Sequence, residues 1–340
     1  MTTTVTGSRE SLALLEAARA RMKRRWAIVL AGGEGARLRP LVRRLFGDRR
    51  PKPYAPLVGR ASLLRQTLDR AALLIPPERT VVVTQAQHVK YVAPELAESP
   101  TLNVLFQPAD RGTGAGVLFA AQWISRRDAE ASVVVLPSDH FIKEDGVFMA
   151  HVAEVVTFVE RNPEWLTLMG VQPTTPEPEY GWISPGEKVG ETTAGSISRV
   201  GRFREKPDAE TARSCLASGW LWNTFAFAAK VSMLIRAGRE LLPALHDRLA
   251  RSAAFAGTEH EAWAVRQAYA LAPTCDFSRA VLQECPPFLA VSRVPHVTWS
   301  DLGRPARVLE VVRALQLRPP WLFQRKRSSA AKRRRGSAAS

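Results

Sequence analysis

The stretch Leu30-Ala31-Gly32-Gly33-Glu34-Gly35-Ala36-Arg37 sets three glycines and then a guanidinium behind a short apolar run. Glycines leave backbone N–H groups open to phosphate oxygens, and an arginine close behind can neutralise them through paired hydrogen bonds. The turn is not a dinucleotide fingerprint, because Leu38 stands where the third glycine belongs and no acid follows about 20 residues on. Nor is it a Walker A loop, since no Gly-Lys-Ser/Thr follows. Lys52 sits between Pro51 and Pro53, a cation on a fixed backbone. Asp139 closes an apolar run in Leu-Pro-Ser-Asp-His, and Asp301 lies in Trp-Ser-Asp-Leu-Gly. Two such carboxylates could converge on a hard cation such as Mg²⁺, which takes one or two carboxylates plus phosphate oxygens. Each aspartate alone also reads as an N-cap or turn residue. His140 reads as structural, with no second histidine at metal-ligand spacing.

Positioning these groups needs a frame, and the apolar pattern supplies it. Residues 26–31, 80–84, 103–107 and 132–139 are short Val/Ile/Leu-rich runs, with helical spacing at 62–74, 88–97 and 114–124 between them. This pattern predicts an α/β fold, a mostly parallel sheet flanked by helices on both faces. Ligands of such sheets sit beyond the carboxyl ends of the strands. The glycine turn, Gln107-Pro108 and Ser138-Asp139 all fall there. The second half is less regular. It reads as a strand at 166–171, a Pro/Gly-rich loop or hairpin at 174–186, a strand at 196–207, and helices at 208–217, 230–250, 260–271 and 305–316. Residues 8–24 alternate Leu/Ala with Arg/Glu at helical spacing. The expected division is an N-terminal amphipathic helix at 1–25, one domain at 26–318, and a basic, disordered tail at 319–340. Little ordered structure is expected past about residue 320.

The chain has 340 residues, 46% of them hydrophobic, enough for a sizeable core. No apolar run approaches the roughly 18–20 residues that span a bilayer, and Glu10, Glu16 and Arg19 break any signal-peptide pattern. Cys215, Cys275 and Cys285 form no CxxC pair, which suits a reduced cytosol and buried, inert thiols. A cytoplasmic protein is expected. Seven basic residues of the tail (Arg325, Lys326, Arg327, Lys332, Arg333, Arg334 and Arg335) contribute to a net charge of +16. The remaining excess suits polyanionic ligands. Nucleic acid is an alternative partner for the tail, but no RNP, zinc-finger or helix-turn-helix signature supports it as the main function. Trp123 and Trp165 read as core or its edge. Trp182 and Trp222 stand beside candidate ligand motifs, with contact left open.

Eight stretches in order, LAGGEGARL, RPKPY, FQPADRGTGAG, LPSDH, PEYGWI, FREKP, WNTF and WSDLG, strongly resemble the sugar-1-phosphate nucleotidyltransferases. The resemblance is strongest to the mannose-1-phosphate guanylyltransferases and runs from about residue 26 to about 312. It implies a Rossmann-like nucleotidyltransferase fold, Mg²⁺ as cofactor, and transfer from an NTP to a hexose 1-phosphate with release of pyrophosphate. GTP and mannose 1-phosphate are the implied pair. UTP or dTTP with glucose 1-phosphate, or a non-catalytic sugar-nucleotide-binding paralogue, remain alternatives. A homo-oligomer is compatible with this reading.

Residue by residue, the resemblance assigns Leu30, Gly32, Gly33 and Gly35 to the nucleotide, and Gln107, Pro108, Arg111, Gly112 and Thr113 to its base and ribose. Arg37 would bind the leaving phosphates, Lys52 the α-phosphate and Lys206 the sugar phosphate. Tyr180, Gly181, Glu205 and Asn223 would face the sugar, with Asp139 and Asp301 as the metal pair. The chain departs from the family at Ala36, at Pro53-Tyr54, across Arg111–Ala115 and in DFSRAVLQ. These departures touch base and sugar recognition more than the phosphate groups. A phosphate monoester is already a nucleophile, so in-line attack needs positioning and fixed cations rather than a strong base.

Overall fold

The computed structural model describes residues 22–323. The helix expected over 8–24 and the basic residues from Arg325 onward lie, but for the helix's last residues, outside the described residues. In chain order the strands are β1 (Arg25–Leu30), β2 (Thr80–Gln85), β3 (Asn103–Gln107), β4 (Ser132–Pro137), β5 (Phe141–Ile142), β6 (Leu166–Val171), β7 (Gly181–Thr192), β8 (Gly195–Glu205), β9 (Leu221–Lys230), β10 (Leu289–Arg293) and β11 (Trp299–Ser300). The helices are α1 (Arg39–Phe46), α2 (Leu63–Ala72), α3 (Val89–Glu98), α4 (Gly112–Ser125), α5 (Asp145–Arg161), α6 (Ala209–Ala217), α7 (Val231–Leu241), α8 (Pro243–Ala253), α9 (Glu261–Leu271) and α10 (Pro305–Ala314).

Nine strands form one sheet in the order β3-β2-β1-β4-β9-β6-β10-β8-β7. β3, β2, β1, β4, β6, β10 and β7 run one way, and β9 and β8 run the other. The sheet is mostly parallel, as the apolar runs predict. Burial on both faces explains those runs. In β1, Trp26 and Ile28 enter the core under α4, α7, α8 and α9, while Ala27 packs toward α5 on the opposite face. Val29 packs on that opposite face too, with α2 and Val92 of α3.

The sequence reading misses β9, β10 and α5. β9 is central in the sheet and runs antiparallel to both β4 and β6. Its sequence, LWNTFAFAAK, carries Asn223 and three alanines where a Val/Ile run would announce a strand. The helical run expected over 230–250 breaks into α7 and α8, because Pro243 starts the second helix instead of continuing the first. Packing continues past residue 318. Trp321 is 4% exposed, and its Nε1 donates to Leu57 O at 3.0 Å.

Two local features bring distant loops to one rim. The β5–β11 ribbon pairs Phe141 with Ser300, just after Asp139 and just before Asp301. A separate core joins Leu38 and Val42, beside the glycine turn, to Val308 and Val312 of α10 and to Trp321. The glycine turn itself is shaped by Lys52. Gly35 has φ +61°, and a Cβ there would lie 2.4 Å from Lys52 Cβ. Lys52 cannot yield, since Pro51 and Pro53 flank it and Tyr54, two residues on, donates to Ala31 O at 3.2 Å.

Gly35→Ala is therefore expected to lower stability by about 2–4 kcal/mol, combining a left-handed L-residue with overpacking. Gly33→Ala meets nothing within 4 Å and serves as the neutral control. Urea midpoints read the difference, and equal midpoints for the two variants would contradict it.

Candidate active site

A cavity of about 430 Å³ opens where β1 and β4 end and β9 begins. Leu30, Gly33, Gly35, Arg37 and Lys52 line one side of it. Tyr180, Gly181, Glu205, Lys206 and Asn223 line another, with Asp139, Asp301 and Thr113 between. Thirteen of the eighteen site residues expected from the sequence thus meet in one place.

Lys52 is the centre of the arrangement. Its Nζ donates to Asp139 Oδ2 at 2.8 Å and to Asp301 O at 2.5 Å, and the residue is 5% exposed. Burial pushes the Asp139 carboxyl up, but Lys52 and His140 outweigh it and hold the group below the usual carboxylate range. Asp301 is likewise raised by burial and pulled lower on balance by His140, Arg307 and Lys52. Its Oδ1 accepts from Tyr180 OH at 3.1 Å, from Gly303 N at 2.8 Å and from Arg307 Nη1. Among the described residues no cluster of three His, Cys, Asp or Glu could hold a metal. The donor set is two carboxylates, with Asp301 Oδ2 outside those three contacts. That chemistry fits a hard cation completing its shell with phosphate and water oxygens.

The sugar-side residues are held by unusual backbone. Register shifts where β6 pairs with β9 bulge the chain near Asn223. Asn223 Oδ1 accepts from Phe225 N at 3.0 Å, and Phe225 turns through φ +59° to face the cavity. Lys206 is also left-handed, at φ +49°, with its N–H donating to Tyr180 O at 3.2 Å. Its Nζ lies 3.2 Å from Glu205 Oε1. Burial raises the Glu205 carboxyl, and Lys206 only partly offsets it. Gly181 makes room for that carboxylate, because a Cβ there would sit 2.9 Å from Glu205 Oε2.

Five expected residues, Gly32, Gln107, Pro108, Arg111 and Gly112, lie off the cavity wall. Gln107 is buried behind Gly32, where its Oε1 accepts from Tyr269 OH at 3.1 Å. Pro108 is exposed elsewhere on the rim. Arg111 donates to Tyr269 O at 2.8 Å and Ala270 O at 3.2 Å, which ties it to the end of α9. Gly112, at φ +78°, would place a Cβ 2.3 Å from Cys275 O, so it serves close packing of that loop. Trp182 is fully buried, with Nε1 donating to Glu177 O, and Trp222 packs on Tyr180, so neither lines the cavity.

Sequence reasoning misses Glu179, Phe225, Asp276, Ser278 and Trp299, which do line it. His140 packs edge-on against Trp299, and burial lowers its pKa, in keeping with a structural part. Burial pushes all three cysteine thiols up, and none is paired. No described helix is long and apolar enough to cross a membrane.

Comparison with known proteins finds relatives over most of the chain. The chain is 32% identical over 291 residues to the xanthan biosynthesis protein XanB of Xanthomonas campestris pv. campestris (strain B100), covering 84% of this chain and 58% of that protein. It is 35% identical over 222 residues to a mannose-1-phosphate guanylyltransferase of Escherichia coli (strain K12), covering 64% of this chain and 44% of the relative. The chain thus spans about half the length of these relatives. A crystal structure from Thermus thermophilus, described as mannose-1-phosphate geranyltransferase, superposes with a TM-score of 0.70 at 29% identity, over 82% of this chain and 76% of that one. The family model described as nucleotidyl transferase matches residues 26–317, and the chain belongs to that family.

Proposed function

We propose that the protein transfers a nucleotidyl group from GTP to mannose 1-phosphate, giving GDP-mannose and pyrophosphate. The observation that carries this reading is the Lys52 clamp, which gathers Asp139 and Asp301 beside the glycine turn and opposite Lys206. The relatives named as guanylyltransferases supply the choice of base and sugar.

In this reading Arg37 and the amides of the glycine turn hold the triphosphate. Lys52 stands at the α-phosphate, and Lys206 grips the incoming sugar phosphate. The two anions repel each other, and these fixed cations offset that repulsion while aligning attack in line with the leaving pyrophosphate. Mg²⁺ held by Asp139 and Asp301 would add charge neutralisation at the phosphates. Glu205 and Asn223 face the sugar hydroxyls, a carboxylate and an amide suited to fixing hydroxyl orientation.

Pyrophosphate release across four NTPs and several hexose 1-phosphates tests the proposal. GTP with mannose 1-phosphate should dominate, and Asp139→Asn and Asp301→Asn should each lower it by about 10²-fold or more. Equal rates in the variants, or no release with any pair, would contradict it.

Asp139 also predicts a pH signature. Its folded pKa is below its unfolded one, so its ionisation stabilises the fold above the ordinary aspartate range, about 3.9, and that contribution disappears as pH falls through the lowered value. Asp139→Asn should therefore destabilise by about 1–3 kcal/mol at pH 7, by removing a partner of buried Lys52. The gap to wild type should shrink below about pH 4. An equal gap at pH 7 and pH 3 in denaturant titrations would contradict this.

A further inference from the structure

Glu179 lines the cavity yet has no part in the transfer just described. Its Oε2 lies 2.8 Å from Arg37 Nη1, 2.8 Å from Arg304 Nε and 3.7 Å from Arg307 Nη2. That oxygen is buried without an aligned hydrogen bond, so these contacts are electrostatic rather than directional. The three arginines are not equally dependent on it. Arg304 also pairs with Glu177 at 3.0 Å, and Arg307 pairs with Glu177 at 2.8 Å and with Asp301. Among the described residues Arg37 has no other carboxylate.

This asymmetry makes the Arg37–Glu179 contact exchangeable. When Arg37 is drawn away, Glu179 keeps Arg304 at 2.8 Å and remains paired. When Glu179 is removed, Arg37 is left to solvent or to an incoming anion. Arg37 is half exposed and Glu179 about a third exposed, so the pair is open to competition from the cavity. A phosphate group is the stronger partner, because it offers more charge and can engage the guanidinium through paired hydrogen bonds that Glu179 does not make.

We propose that Glu179 is a built-in stand-in for the leaving pyrophosphate, holding Arg37 in the empty site and reclaiming it when pyrophosphate departs. The inference rests on the transferase reading and adds a residue that sets the balance between substrate and product. Ligands that reach Arg37, the triphosphate and pyrophosphate, must compete with Glu179. A sugar nucleotide carries no phosphate beyond its sugar-linked pair and does not. Glu179 thus weakens retention of pyrophosphate without weakening the sugar nucleotide.

Calorimetric titration of magnesium pyrophosphate and of GDP-mannose into the full chain tests this. Glu179→Gln should tighten pyrophosphate binding by about two- to fivefold, the range of an exposed ion pair, and leave GDP-mannose binding unchanged. Glu177→Gln removes the same charge nearby but from a side chain that does not touch Arg37, and should shift pyrophosphate binding less. In an Arg37→Met background the effect of Glu179→Gln should vanish. Glu179→Asp keeps the charge and shortens the reach, giving a smaller change of the same sign if the amide variant fails to fold. Unchanged or weaker pyrophosphate binding in Glu179→Gln would overturn the inference, as would tightening that persists without Arg37. Binding is read without turnover, so absence of transfer with every sugar phosphate would sink the functional reading while these titrations still decide the role of Glu179.

Discussion

The site depends on one buried ammonium. Lys52 is almost wholly removed from water, and a charge in that position is tolerated only when paired and hydrogen-bonded. Its partners come from three loops that are far apart in sequence: the turn after β1 packs on its stem, Asp139 follows β4, and Asp301 follows β11. Satisfying Lys52 therefore forces the glycine turn and both carboxylates into one place. The β5–β11 ribbon and the small core around Leu38, Val308 and Trp321 stiffen that junction from behind.

The opposite wall is held in a different way. Lys206, Phe225 and Leu302 are non-glycine residues with φ of +49°, +59° and +47°, and all lie in or next to the cavity. Such residues typically cost about 1–3 kcal/mol each and persist only where surrounding structure fixes them. Here the bulge in β9, the Asn223–Phe225 hydrogen bond and the Lys206–Tyr180 backbone bond do the fixing. The strain sets Lys206 and Asn223 on the wall of the same cavity that Lys52 lines.

Much of this frame is legible in the sequence because β1, β2 and β4 are buried on both faces, and such strands announce themselves as unbroken apolar runs. β9 is as central but reads poorly, since Asn223 and three alanines stand where a Val/Ile run would announce a strand. Gly35, Lys52, Asp139 and Asp301 could be picked out from residue type and neighbouring prolines or glycines. Arg111 could not be placed the same way, because its guanidinium is taken by carbonyls at the end of α9, a partnership with no local pattern. The Arg37–Glu179–Arg304–Arg307 group is equally silent in sequence, since ion pairs spanning such separations leave no periodicity. Trp321 lies in a stretch whose composition reads as a tail, and only its contact with Leu57 reveals it as core.

The central claim is direct transfer between two bound anions, with no covalent intermediate on the protein. Exchange of labelled pyrophosphate into GTP, measured with and without mannose 1-phosphate, tests it most directly. The account predicts label in GTP only when the sugar phosphate, or GDP-mannose formed from it, is present. Exchange at the same rate with GTP and pyrophosphate alone would mean that the protein itself accepts the nucleotidyl group, and would contradict the account.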